Sequence, residues 1–484
     1  MVFDQLSPKD IWTYFYEITQ VPRPSKKEEK IIEYLMKFGK IHVLESKKDN
    51  IGNVLIKKPS TPGMESRIPV VLQSHIDMVC EKDTDIEHDF DKDPIIPEIH
   101  GDWVKAKGTT LGADDGIGIA AQLAILASDD IEHGPLECLF TVDEETGLTG
   151  AFNLQEDFFD GKILINLDSE DEGELFIGCA GGVDTIATMR FNKKTIPAHS
   201  VAYKVSVSGL KGGHSGDDIE KERGNANILL ARFLLLATET FSIRLATFDG
   251  GNLRNAIPRN GYAVITIRED SEDRFLQAFD AFFSNVKSEF KHSDPNLRME
   301  IESHAIPDYV INKKVHHRLL RAFIGCPNGV ISMSTEITGL VETSTNLASV
   351  KMQNNDIIVT TSQRSSVKSR KDYIAHAVCS VFELAKAQVR HTDGYPGWSP
   401  DMNSDILQIT QSAYEKLFHQ KPLVRAIHAG LECGLFLEKY PYLDMISFGP
   451  TIKDAHSPNE KLHIESTQKF WDLLVEVLKN IPHE

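Results

Sequence analysis

Apolar residues recur at helical spacing at Ile11, Phe15 and Ile18, and Ser7 followed by Pro8 supplies a start signal for that helix. A second helix is expected after Ser25, with Glu28 three residues on completing a capping box. Beyond the turn Asp49-Asn50-Ile51-Gly52-Asn53 the pattern changes to short unbroken apolar runs separated by helical segments, which predicts a mainly parallel sheet with helices on both faces. Three runs matter most: Pro69 to Ser74, Leu136 to Val142 and Ile163 to Leu167. Each leads directly into a histidine or an acid. Ligands of open α/β sheets bind beyond the carboxyl ends of the strands, so His75, Glu144, Glu145 and Asp168 are expected to converge there.

From about residue 186 the chain shifts to longer alternating strands, such as Tyr203 to Ser208 and Tyr262 to Ile267, with helices expected around 225–240, 271–291, 313–325 and 370–389. A turn-rich segment from His391 to Pro400 then leads back to a final helix and strand pattern that includes Asp444 to Phe448. The predicted fold class is α/β. A mixed, mainly parallel sheet domain comprises residues 1–185 and 394–484, and an α+β domain, residues 186–393, is inserted into it.

The 484 residues are enough for several buried cores, and 41% apolar with 25% charged residues is ordinary for a globular chain. Lys and Arg number 52 against 71 Asp and Glu, a net charge of −19 that repels nucleic acid and anionic bilayers alike. The most apolar helical stretch, Ile228 to Ala237, contains Arg232 and falls well short of the roughly 20 residues that span a membrane. Six scattered cysteines form no C-x-x-C pair, and Asp4 and Asp10 sit where an export signal needs a basic start. A cytoplasmic location is expected.

Several motifs could carry chemistry. His75-Ile76-Asp77 at a strand end offers an imidazole with a carboxylate placed to hold its other ring nitrogen. Gly108 to Ile119 opens a helix with two adjacent aspartates, Asp114 and Asp115, which argues against phosphate binding, since no Lys-Ser/Thr follows. Asp143-Glu144-Glu145 places three acids after an apolar strand, natural for a metal ligand beside a general base. Asp168 follows the next strand, and His456 lies in a loop beyond another. Each motif alone reads equally well as a solvated or structural group. Together, on one edge of one sheet, they supply two histidines and enough carboxylates for two adjacent divalent ions. His316, His317 and His463 are expected to be structural.

His75-x-Asp77, Gly112-Ala113-Asp114, Glu144-Glu145, Asp168 and His456 occur in the order of the two-zinc aminoacylase and dipeptidase family. The resemblance covers essentially the whole chain. Within the family it is similar above all to the bacterial dipeptidases of aminoacyl-histidine substrates, through Ile177 to Gly182, Gly209 to Gly216, Arg254 to Arg259 and His428 to Gly434. The resemblance implies that His75 and Asp168 hold one ion, Glu145 and His456 the other, and that Asp114 bridges them. Zinc is the implied metal, with cobalt or manganese as substitutes. Asp77 would orient His75, and Glu144 would be the base that activates a water bridging the ions. In the inserted domain, a lid in this family, His214 would polarise the scissile carbonyl, and Asn255, Arg364 and Gly430 would hold the substrate.

An Asp rather than a Glu at position 168 favours the dipeptidase branch over N-acyl amino acid deacylases, the alternative activity. The implied reaction is hydrolysis of unblocked dipeptides, Xaa-His among them. Arg364 is expected to clamp the free carboxylate, and Asp115 or Asp143 to attract the free ammonium. The expected partners are a small peptide and a second copy of the chain joined through the lid, with no nucleic acid and no membrane.

Overall fold

The computed structural model describes residues 2–484, which divide into two compact units. The first comprises the residues up to Gly178, Pro400–Ala426 and Leu431–Glu484; the second comprises Cys179–Ser399 and Ile427–Gly430.

The first unit is built on an eight-stranded sheet in the spatial order Glu45–Lys48, Val54–Lys58, Leu136–Thr141, Val70–His75, Ile163–Asn166, Asp444–Ser447, Glu174–Cys179, Leu423–Ile427. The four central strands run parallel, as their apolar runs suggest, whereas Glu45–Lys48 pairs antiparallel with Val54–Lys58, Val54–Lys58 with Leu136–Thr141, and Glu174–Cys179 with Asp444–Ser447. Every residue of Val70–His75, Leu136–Thr141 and Ile163–Asn166 is buried. Each fully buried large aliphatic or aromatic side chain there contributes about 1.5–3 kcal/mol. Parallel strands share one carboxyl edge, so the segments after His75, Thr141, Asn166 and Ser447 leave the sheet on the same side. The fold is therefore mixed α/β with a mainly parallel core, as the apolar runs predict. A smaller sheet contains the antiparallel pair Ile452–Lys453 and Lys461–His463, whose connecting loop carries His456.

The second unit is built on a nine-stranded antiparallel sheet. The helices Ala226–Phe241, Glu272–Glu289, Lys313–Gly325 and Lys368–Leu384 contribute to its apolar core. Phe233 anchors that core, with ring centroids of Phe275, Phe279 and Phe282 at 5.6, 5.2 and 5.4 Å. Arg232, the charge in the most apolar helix, pairs with both carboxylate oxygens of Glu289 at 2.7 and 2.8 Å. No helix among the described residues is long and apolar enough to cross a membrane.

Some local expectations change. Ser25 does not cap a helix: the helix Glu29–Ile41 has Glu28 as its N-cap residue without a side-chain bond to its amides, and Ser25 turns its hydroxyl to Asp77 instead. The helix expected over 370–389 ends at Leu384 and is followed by the strand Gln388–His391. Among the described residues the six cysteines form no disulfide, and four of them are buried.

Candidate active site

At the carboxyl edge of the parallel strands His75 is 1% exposed, with Nε2 at 2.9 Å from Asp114 Oδ1 and 3.4 Å from Asp168 Oδ1. His456, half exposed in its loop, places Nε2 3.0 Å from Asp114 Oδ2 and 3.1 Å from Glu145 Oε2. Asp114 thus faces one histidine with each oxygen. Two donor groups result, His75/Asp114/Asp168 and His456/Asp114/Glu145, sharing one carboxylate. Donor atoms of His75, Asp114 and Glu145 all lie within 4.8 Å of one another.

Asp77 organises this cluster without belonging to it. One oxygen accepts from Glu144 N at 3.0 Å and lies 3.3 Å from His75 Nδ1, and the other accepts from Glu145 N at 3.2 Å and Ser25 Oγ at 2.7 Å. Burial opposes ionisation, but the contacts with His75, Ser25 and the Glu144 amide outweigh it and hold Asp77 at about 2. Burial, reinforced by neighbouring acids, pushes Glu144 and Asp168 well above the carboxylate range. Glu145 Oε1 is buried and has no hydrogen-bond partner. An unpartnered buried carboxylate oxygen among imidazole and carboxylate donors fits a borderline divalent cation such as zinc.

Glu432 is 1% exposed and accepts from Gln73 Nε2 at 2.6 Å and Thr141 Oγ1 at 2.8 Å, residues of two central strands. Burial pushes it up to about 7. Asp115 and Asp143, expected to attract a substrate ammonium, do not face solvent. Asp115 is 1% exposed beneath its helix, and Asp143 spends its oxygens on the hydroxyls of Thr146 and Thr149. His316 is buried against Thr238, and His463 accepts from Ser466 N at the start of the last helix, so both are structural.

Four of the expected substrate-side residues lie in the second unit. Arg364 sits within the strand Asp356–Ser365 rather than after it, 6% exposed, with Nη1 donating to Tyr395 Oη at 2.9 Å and Nη2 3.5 Å from His214 Nε2. Its Nε is buried without a partner, and among the described residues no carboxylate pairs with it. His214 is held by Asp217, 3.0 Å from Nδ1, on the short ribbon Gly213–His214 with Ala256–Ile257, next to exposed Asn255. Gly430 lies under the Tyr395 ring: a Cβ there would come within 2.8 Å of it, and one at Gly182 within 2.6 Å. Tyr395 was hidden in the turn-rich segment, and only its aromatic ring among glycines marked it.

The model of peptidase family M20/M25/M40 matches residues 71–480. The chain belongs to this family. It is a peptidase, and the strand-end cluster falls within the matched segment. It is 45% identical over 478 residues to the cytosol non-specific dipeptidase of Escherichia coli K12, covering 99% of each chain. It also superposes on the crystal structure of an aminoacylhistidine dipeptidase from Vibrio alginolyticus with a TM-score of 0.94, at 45% identity, covering 100% of this chain and 98% of that one. The aminopeptidase PepT of Bacillus cereus shares the fold at a TM-score of 0.59 and 16% identity, over 98% of this chain and 99% of the other.

Proposed function

We propose that this peptidase is a cytosolic two-metal dipeptidase that cleaves unblocked dipeptides, Xaa-His among them. The observation that supports this best is Asp114 facing His75 and His456 with its two oxygens, in a chain collinear with relatives named for dipeptide hydrolysis. His75, Asp114 and Asp168 would hold one ion, and Asp114, Glu145 and His456 the other, with zinc first and cobalt or manganese as substitutes. Two such ions supply Lewis acidity, lowering the pKa of water toward neutrality and drawing charge from a carbonyl oxygen.

The protein's own groups do the rest. Glu144 takes the proton of the attacking water and passes it to the departing amine. Asp77 keeps Glu144 and Glu145 in register through their amides and fixes the His75 ring. His214, steadied by Asp217, donates to the oxyanion that develops on the scissile carbonyl. Arg364 pairs with the C-terminal carboxylate, while Asn255 and Gly430 hold the peptide backbone. The first unit is the catalytic domain and the second the lid. A lid of this bulk exceeds what closing one small pocket needs, and we assign it the interface of a homodimer, to be checked by light scattering.

The test is elemental analysis of the purified protein joined to a hydrolysis panel. Two metal ions per chain and cleavage of free dipeptides, with N-acetylated and amidated dipeptides much poorer, are the expected results. A preference for N-acyl substrates would reassign the chain to deacylation.

A further inference from the structure

The loop leading into the helix Ala113–Ala127 turns its amides toward a carboxylate far away in sequence. Glu460 Oε2 accepts from Leu111 N at 2.7 Å and Gly112 N at 3.0 Å, and Oε1 accepts from Ala113 N at 2.7 Å and Asp114 N at 3.4 Å. Four successive amides can converge on one anion because the backbone bends at Gly112, at φ 69°. On its other side the loop is fastened by Arg23, which donates to Gly112 O and also to Ile76 O at 3.1 Å and Asp77 O at 2.7 Å. Glu460 and Arg23 are each 2% exposed. Neither touches an ion or a peptide in the mechanism above.

We propose that Glu460 is the positioning residue of the shared ligand: it fixes the backbone of Leu111–Asp114 so that the Asp114 oxygens face His75 and His456. Glu460 also lies four residues beyond His456, in the loop between Ile452–Lys453 and Lys461–His463. One loop therefore supplies one ligand directly and sets another. His75 and Asp168, by contrast, end or follow strands anchored in the parallel ladder. Loss of the Glu460 charge weakens the ion position His456/Asp114/Glu145 more than the position His75/Asp114/Asp168. This assignment rests on the two-ion reading of the site.

The test loads the full-length protein with cobalt and withdraws the metal with graded chelator, following bound cobalt by elemental analysis and visible absorbance. Glu460→Gln keeps the side-chain size and one accepting oxygen. Glu137→Gln is the control, since Glu137 is likewise buried and caps Asp160 N and Gly161 N at 2.8 and 2.7 Å but touches no ligand. Wild type and Glu137→Gln should each hold two ions. Glu460→Gln should hold one ion as wild type does and the other about 10–100-fold more weakly, the usual loss on removing a ligand's support. Its turnover should recover in excess cobalt with the KM for peptide unchanged. Should Glu460→Gln not fold, Glu460→Asp, which keeps the charge on a shorter arm, should show the same split between the two ions. Equal affinities in wild type and variant, or equal weakening of both ions, would overturn the proposal. Wild type holding fewer than two ions would overturn the two-ion reading and this assignment with it.

Discussion

Arg364 offers the sharpest test of substrate selection. Of its five N–H donors, one is spent on Tyr395 Oη at 2.9 Å and another lies 3.5 Å from His214 Nε2, leaving Nε buried and unpartnered. A guanidinium held in a protein interior without a carboxylate is costly unless an anion completes it. A peptide carboxylate taking two of the remaining donors would gain about 1.5–3 kcal/mol per charge-assisted bond. Arg364→Ala should therefore raise KM for a free dipeptide by about two to three decades, some 3–4 kcal/mol. Its C-terminal amide, which never formed the ionic pair, should lose far less. Steady-state kinetics on the two substrates with both proteins measures the effect as a change in preference, which cancels any general loss of active enzyme. Wild-type preference for the free acid should collapse toward unity in the variant. If wild type cleaves acid and amide alike, or the variant loses both equally, Arg364 is not a carboxylate clamp.

Exchange of Glu144 for Gln should lower turnover by about 10²–10⁴-fold while elemental analysis still finds both metals, because Glu145 and not Glu144 faces His456; metal loss would show the two glutamates to be reversed. Tyr395→Phe removes one hydrogen bond to Arg364 and should raise KM for free dipeptides about 2–10-fold with kcat kept, whereas an unchanged KM would show the hydroxyl to be idle. Burial, aided by His317 and Arg244, holds His316 down at about 3, so the native state refuses a proton that the unfolded chain accepts below about pH 6.5. The stability it protects is whole above that pH and falls as pH drops, by about 1.4 kcal/mol per unit down to about pH 3. Urea unfolding at pH 7.5 and 5.5 should thus show a shallower loss for His316→Gln than for wild type, and parallel losses would refute the assignment.

The parallel core is legible in the chain because strands buried on both faces must be largely apolar, and Val70–His75 and Leu136–Thr141 end within one residue of the apolar runs. The proposed ligands follow from that edge: His75 and Asp168 need only strand ends to find each other. Less of the second unit can be read. Val341–Gln353 is a long strand with Thr343, Ser344, Thr345 and Asn346 all buried, and such a run lacks the apolar-polar alternation that marks a half-buried strand. Ser25 and Glu28 have the spacing of a capping box, yet Ser25 bonds Asp77, while Glu28 accepts from Lys26 N and Asp143 N. Local spacing specifies which bonds are available, and tertiary contacts decide which are made. Glu460 is the extreme case, since an acid that binds the amides of a loop some 350 positions earlier leaves no local signature.

Two kinds of acid meet around the ligand cluster of the first unit, and the division explains how so much negative charge is tolerated at one sheet edge. Asp77 and Glu460 are held by the chain's own amides, and Asp77 by a serine hydroxyl and the outer ring nitrogen of His75 as well. At Asp77 these contacts outweigh burial and favour the anion, whereas at Glu460 the amides offset burial only in part and its carboxyl stays above the usual range. Asp114, Glu145 and Asp168 face two histidines and one another. Backbone amides hold a carboxylate in place without neutralising it, so the first kind adds its charge to the field in which the second kind sits. Arg23, bound to carbonyls and coupled electrostatically to both Asp77 and Glu460, offsets part of that field from beneath. What it leaves uncompensated lies at the strand ends, where the surplus of carboxylate over imidazole calls for cations. On the proposed reading the amide-bound acids make the site rigid and the histidine-facing acids make it hungry for metal, and both conditions must hold if Glu144 is to work beside it as the base.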